Sequence, residues 1–292
     1  MNKIRIIADS TCDYDESLFQ GMELEILPLI ITVGNKSYLD REEIGVSEVY
    51  ERIREGFVPK TAQIPYSRAY ELFKACLDDG DDFIYIAFSS GMSGSYSLGH
   101  MVAEELRGEY PERKFEVIDS GGGSGATGLM ALQALKMVRD GFSFEAVKTE
   151  LEFMAGHVVH VFSVDDIEWL AKGGRIPKII GQIGSKLGIH PILDVEDGRM
   201  VKRRMTRGHK SVIKIIADEI VQRAARFPAQ LISITHSDGL NSAKELEENI
   251  LRRLPGSKAT ICPIGGVVAA HIGLGGIGCF CFSQKSEHYC LV

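Results

Sequence analysis

Three short apolar runs rich in β-branched and aromatic residues punctuate the first half of the chain: IRIIAD at 4–9, DFIYIAFSS at 82–90 and KFEVIDS at 114–120. Each gives way to Gly, Ser or Asp and then to a helical repeat, the order expected of βαβ units around a parallel sheet. The run ELEILPLIITVGNKSYLD at 23–40 reads as a strand followed by a small turn on Gly34-Asn35, and residues 46–56 and 66–78 read as helices. The second half is patterned differently. VVHVF at 158–162 reads as a strand, and Ser163 with Asp166 forms a capping box for a short helix ending at Gly173-Gly174. HPILDVEDGRMVKRRM at 190–205 alternates on either side of Asp197-Gly198, a hairpin signal. Residues 209–225 place Val212, Ile215, Ile216, Ile220 and Ala224 on one helical face. LISITHS and GCFCFS read as strands, with a helix over 241–254 between them. The pattern predicts two closely packed α/β domains. Residues 1–155 would form a Rossmann-like, mostly parallel sheet with helices on both faces, and 156–292 an α/β domain with a mixed or antiparallel sheet.

Composition narrows the class. The chain has 292 residues, 45% hydrophobic and 25% charged, the proportions of a soluble globular protein. Its net charge of -7 argues against a nucleic-acid partner, because such binding rests on neutralising phosphates. The six cysteines show no metal spacing, which points to a reduced, cytoplasmic protein without a metal or other cofactor. Neither a signal h-region at the start nor a prenylation box at HYCLV is visible. Residues 259–284 carry no Asp, Glu, Lys or Arg over 26 positions, a length that would span a bilayer. Pro263, His271 and six glycines make that stretch a poor continuous helix, so a buried turn-and-strand segment is expected.

Candidate chemistry gathers at the strand ends, Asp9-Ser10, Ser89-Ser90 and Asp119-Ser120. Ligands of open α/β sheets sit outside the carboxyl ends of the strands, so these residues point to one polar site, although Asp and Ser there also cap helices. GMSGS at 91–95 narrowly misses the G-x-S-x-G elbow of serine hydrolases. In a hydrolase Ser93 would need a histidine such as His271. Read passively, the same turn offers hydroxyls and free N–H groups at a helix start, an anion site. GLGGIG at 273–278 fits the dinucleotide pattern by letter, but lies too near the end for a βαβ unit and reads as a tight turn. KRRMTRGHK at 202–210 is either a solvated hairpin end or a face for an acidic partner or phosphate. Trp169 reads as packing.

In order along the chain stand IADSTCD, LPL, KTAQ, SSGMSGSY, IDS with a glycine-rich turn, WLAKGGRI, HPIL…DG and HIGLGGIG. This ordered set covers nearly the whole chain and resembles the DegV family of fatty-acid-binding proteins. The resemblance implies a long-chain fatty acid buried between two α/β domains. It implies for many members service as the acyl-carrying subunit of a bacterial fatty acid kinase, a carrier with no chemistry of its own. Such a carrier would present the carboxylate to a separate ATP-dependent kinase that makes acyl phosphate. A monomer is expected, and peripheral contact with a membrane is compatible with that role. The resemblance assigns the carboxylate to Thr61 of KTAQ and to Ser93, Gly94 and Ser95 of SGMSGSY. It assigns Arg175 of GGRI and His271 of HIGLG to a surface pair facing the kinase. The chain departs from the family's T-S-Q at Ala62, and from H-T-G-P-G at Ile272 and Leu274. Burying about 15 methylenes is worth roughly 12 kcal/mol gross, before association costs. The carboxylate must then be met by several donors, which hydroxyls and N–H groups supply. A small serine hydrolase using Ser93 and His271 is the alternative.

Overall fold

The computed structural model describes residues 3–175 and 188–292. The first half is built on a parallel sheet ordered β2-β1-β6-β7: β1 Ile4–Asp9, β2 Leu24–Leu27, β6 Asp82–Ala87 and β7 Phe115–Asp119. Side chains alternate across it. Phe83 and Tyr85 face a core shared with α2 (Tyr66–Asp78) and α3 (Ser95–Arg107). Ile84 and Ile86 face α4 (Gly125–Arg139) and α5 (Phe144–His157) on the other side.

The change of sheet falls between His157 and Val158. A mixed six-stranded sheet follows, ordered β10-β9-β8-β13-β11-β12. Its strands are β8 Val158–Ser163, β9 Ile189–Glu196, β10 Arg199–Arg207, β11 Leu231–His236, β12 Lys258–Pro263 and β13 Ile277–Phe282. One face packs on α7 (His209–Arg223) and α8 (Leu240–Leu251) through Val161, Ile234, Cys279 and Cys281. The opposite face turns Phe280 and Phe282 toward α4. That helix is buried almost all round, as its sequence GATGLMALQALKMVR requires. Its N-terminal glycine lets the backbone touch the second sheet: a Cβ on Gly125 would stand 2.3 Å from Ser233 Oγ and 2.7 Å from Phe280.

Three local readings change. The run at 23–40 is two elements, because Pro28 interrupts it after β2; β3 (Ile30–Val33) and β4 (Lys36–Leu39) then form a hairpin. With β5 (Lys60–Ala62) they make a separate three-stranded sheet. The cap of α6 (Ile167–Gly173) is Asp166 alone, which accepts from the N–H groups of Glu168 and Trp169, while Ser163 belongs to β8. The charge-free stretch at 259–284 contains strand and turn as expected, and also a short helix, α9 (Gly266–Ile272), between β12 and β13. No helix among the described residues is long and apolar enough to cross a membrane. The basic run is partly structural: Arg203 and Arg223 both hold Asp194, which is 3% exposed, and Arg204 pairs with Glu219.

Candidate functional site

The site grows from the carboxyl edge of the parallel sheet. After β6 the chain turns through residues 88–94 into α3, and two carboxylates from neighbouring strands fix that turn. Asp9 accepts from Phe88 N–H at 2.8 Å, from Tyr85 Oη at 3.1 Å and from the Thr11 hydroxyl. Asp119 accepts from Ser90 N–H at 3.2 Å. Asp9 is fully buried, and burial pushes its carboxyl above the usual range. Gln63 lies over Gly94 at the head of α3, so that a Cβ there would stand 1.8 Å from Oε1 and displace the end of that side chain. Ser95 is buried and faces inward, with its hydroxyl 3.0 Å from Ser93 Oγ and 3.4 Å from Ile64 N. It does not line the cavity; it braces Ser93.

A second group meets this turn from β5 and from the second half of the chain. Thr61 sits in the middle of β5, its register set by pairing with Ile31. Its Oγ1 lies 2.7 Å from His271 Nε2, on the last turn of α9. His271 Nδ1 lies 3.1 Å from the Gly173 carbonyl at the end of α6. A carbonyl only accepts, so Nδ1 carries the ring hydrogen and Nε2 accepts from Thr61. Burial, and then the charge of Arg175, push the imidazole down to about 4, so the ring is neutral. His271 is thus a largely buried partner of Thr61 and not the surface residue expected. Arg175 is exposed, and its Nη1 donates to the same Gly173 carbonyl at 2.9 Å.

The turn after α9 is fixed without a proline. Ser237 donates to Gly273 O at 2.8 Å and accepts from Gly276 N–H at 2.8 Å. Gly273 has φ +75 and rests on the Trp169 ring, whose Nε1 donates to Ala270 O at 3.0 Å. Trp169 therefore packs, as read from the sequence, and its packing holds the helix that carries His271.

Thr61, Ser93, Gly94, His271 and Arg175 line one cavity of about 410 Å³, together with Thr11, Ser90 and Ser97. The cavity adjoins a smaller apolar space of about 60 Å³ that runs inward against the second sheet. Phe88, Met92, Met200, Val268 and Ile272 wall both. The inner end reaches Phe162, Phe280 and His160, a fully buried histidine kept neutral by its burial. A hydroxyl-lined mouth thus stands beside an apolar space on the second sheet, with a shared wall between them. Sequence reasoning missed Ser97, which stands one helical turn beyond Ser93 in SGSYS. It also missed Met200, because only the docking of the β9–β10 hairpin brings that residue to the mouth: Ser89 Oγ donates to Gly198 O at 2.7 Å.

Ser93 and His271 are not joined as a hydrolase would need. Ser93 Oγ contacts Ser95, whereas both His271 nitrogens are occupied by Thr61 and Gly173.

The model of the DegV family, described as uncharacterised proteins of that family, matches residues 3–284. A DegV domain-containing protein of Clostridium perfringens is 31% identical over 290 residues, covering 98% of this chain and all of that one. A Thermus thermophilus structure, described as fatty acid binding of a DegV family protein, has 27% identity and a TM-score of 0.86, covering 97% of this chain and all of that one. The Bacillus subtilis structure described as DegV, a fatty acid binding protein, has 26% identity and a TM-score of 0.84 over the same shares. With its motifs in family order, and its strands, turn and cavity arranged as described, the chain belongs to the DegV family.

Proposed function

We propose that this chain binds a long-chain fatty acid, with the acyl chain in the apolar space between the sheets and the carboxylate at Thr61 and Ser93, and presents that carboxylate to a partner kinase. The observation that carries the reading is a hydroxyl-lined mouth set directly against an apolar space, the two walled in common by Phe88, Met92 and Met200. A carboxylate needs donors, and an alkyl chain gains about 0.8 kcal/mol per buried methylene. The adjoining spaces offer both. The fatty-acid-binding relatives from Thermus thermophilus and Bacillus subtilis support the ligand class. The kinase half rests on the family resemblance and on Arg175, an exposed cation at the cavity mouth suited to a phosphoryl group. Gly94 and the N–H groups at the head of α3 complete the proposed carboxylate site, and Ser95 acts by holding Ser93. Native mass spectrometry of the purified protein tests the ligand class: a bound mass in the fatty-acid range is expected, and failure of the delipidated protein to capture added fatty acid would refute it. Conversion of bound fatty acid to acyl phosphate by an ATP-dependent kinase, only when this chain is present, tests the second half.

A further inference from the structure

Resting on the fatty-acid reading above, we infer that the site takes up its ligand together with one proton, carried along the line from the carboxyl group through Thr61 to His271. The inference is a count of hydrogens. The line has three contacts once a carboxylate reaches Thr61: carboxylate to Thr61 Oγ1, Thr61 Oγ1 to His271 Nε2 at 2.7 Å, and His271 Nδ1 to Gly173 O at 3.1 Å. Each contact needs one hydrogen. A neutral imidazole supplies one and the threonine hydroxyl one. In the contacts as they stand these two are spent on Gly173 and on Nε2, so Thr61 turns only lone pairs to the cavity. A carboxylate also brings only lone pairs, and two acceptors facing each other repel. The third hydrogen must therefore arrive with the ligand.

Two arrangements satisfy the count, and both carry the same proton. In one, solvent protonates Nε2; the imidazolium donates to Thr61, which donates to the carboxylate. In the other, the carboxylic acid donates to Thr61, which donates to neutral His271. Only an N–H or O–H bond forms, and its proton comes from water. Exchanging the ring hydrogen between the nitrogens does not help, because it would set a bare Nδ1 against the Gly173 carbonyl.

The surroundings favour a ring that is unprotonated before the ligand arrives. Arg175, after α6, is the one charged group acting on the ring among the described residues, and with burial it opposes protonation. Lys172 on α6 and Lys60 on β5 are exposed. From α1 (Val46–Arg54), Val49 packs against α9 and Tyr50 is un-ionised, its Oη donating to Ile264 O. An incoming carboxylate supplies the missing negative charge one hydroxyl away. The complex thus holds one more proton than its separated parts, and affinity weakens with rising pH, by about tenfold per unit between the pH at which the separated site and ligand lose that proton and the higher pH at which the complex loses it.

The test is calorimetric titration of delipidated protein with oleate at neutral pH, in phosphate, HEPES and Tris. The slope of apparent binding enthalpy against buffer ionisation enthalpy counts protons. The expected slope is about one proton taken up per oleate, preserved in Thr61→Ser and lost in Thr61→Val, which keeps Ser93 but breaks the line. Saturable oleate binding with a slope near zero in the unmodified protein overturns the inference and leaves the fatty-acid reading standing. Unchanged uptake in a folded Thr61→Val protein overturns it too. No oleate binding in any buffer overturns the fatty-acid reading and this inference with it.

Discussion

Gly91 and Gly94 bracket the turn that carries Ser93, and replacing each by alanine separates two kinds of close approach. A Cβ on Gly91 would stand 2.5 Å from the Gly198 carbonyl oxygen and 2.9 Å from its carbon. Both are backbone atoms at the tip of the β9–β10 hairpin, so relief requires the hairpin to retreat by roughly 1 Å to ordinary contact. That movement stretches the 2.7 Å bond from Ser89 Oγ to Gly198 O beyond hydrogen-bond range. Overpacking costs about 1–3 kcal/mol and the lost bond about 1 more, which for a chain of this size lowers Tm by roughly 5–10 °C. The retreat also carries Met200 away from the wall it gives both parts of the cavity. Gly91→Ala should therefore release bound fatty acid faster as well as unfold earlier. At Gly94 the obstruction is Gln63 Oε1 at 1.8 Å, the end of an exposed, flexible side chain that swings aside. Gly94→Ala should keep Tm within about 2 °C. Thermal unfolding and the dissociation rate of a fluorescent fatty acid read both effects. Equal melting temperatures for Gly91→Ala and the unmodified protein would show that the hairpin is not seated on this turn.

Ser93→Ala should weaken fatty acid binding by roughly 10- to 100-fold, the loss of one hydrogen bond to a charged group, while the Ser95 contact to Ile64 keeps the fold; titration calorimetry and thermal unfolding check both halves. His271→Ala should also weaken lipid binding by about tenfold or more, because Thr61 loses its partner, whereas Arg175→Ala should leave lipid affinity within a few-fold. Arg175→Ala should slow acyl phosphate formation with a cognate kinase by about tenfold or more; parallel loss of lipid affinity would move Arg175 into the binding pocket. Asp40 is fully buried, and burial raises its carboxyl to about 6 against the opposing pull of the Ser10 hydroxyl and of Arg41. Because its folded value lies above the unfolded one, the folded protein binds the extra proton, and Asp40's contribution to stability improves as pH falls from above 6 toward 4. Asp40→Asn should therefore raise Tm most above pH 6 and progressively less in acid; a pH-independent difference between the two melting curves would contradict this.

What could be read from the chain, and what could not, divides by the range of the forces involved. The strands at 4–9, 82–87 and 115–119 were readable because a parallel strand buried on both faces writes itself as a continuous apolar run. The family motifs lead to Ser93 and Gly94 because both lie in the short turn between β6 and α3, whereas Thr61 lies in a strand and His271 in a helix that only the fold brings together. Two errors came from contacts between distant segments. The resemblance groups Ser95 with Ser93 at the head group, but Ser95 turns inward at the start of α3, its hydroxyl set between Ser93 Oγ and the N–H of Ile64, 31 positions away. The resemblance puts His271 on the surface, in a pair with Arg175. It is buried because α9 packs on α6 through Trp169, and because β5 brings Thr61 across 210 positions to its ring. That second correction changes the chemistry assigned to the site. On the proposed function, a surface histidine would act on the partner's phosphoryl group, whereas one bonded through Thr61 to the head group would couple capture of the ligand to uptake of a proton. The proposed division of labour then follows from position: His271, behind the hydroxyl, would serve capture of the carboxylate, and Arg175, exposed on the same Gly173 carbonyl, would meet what arrives from outside.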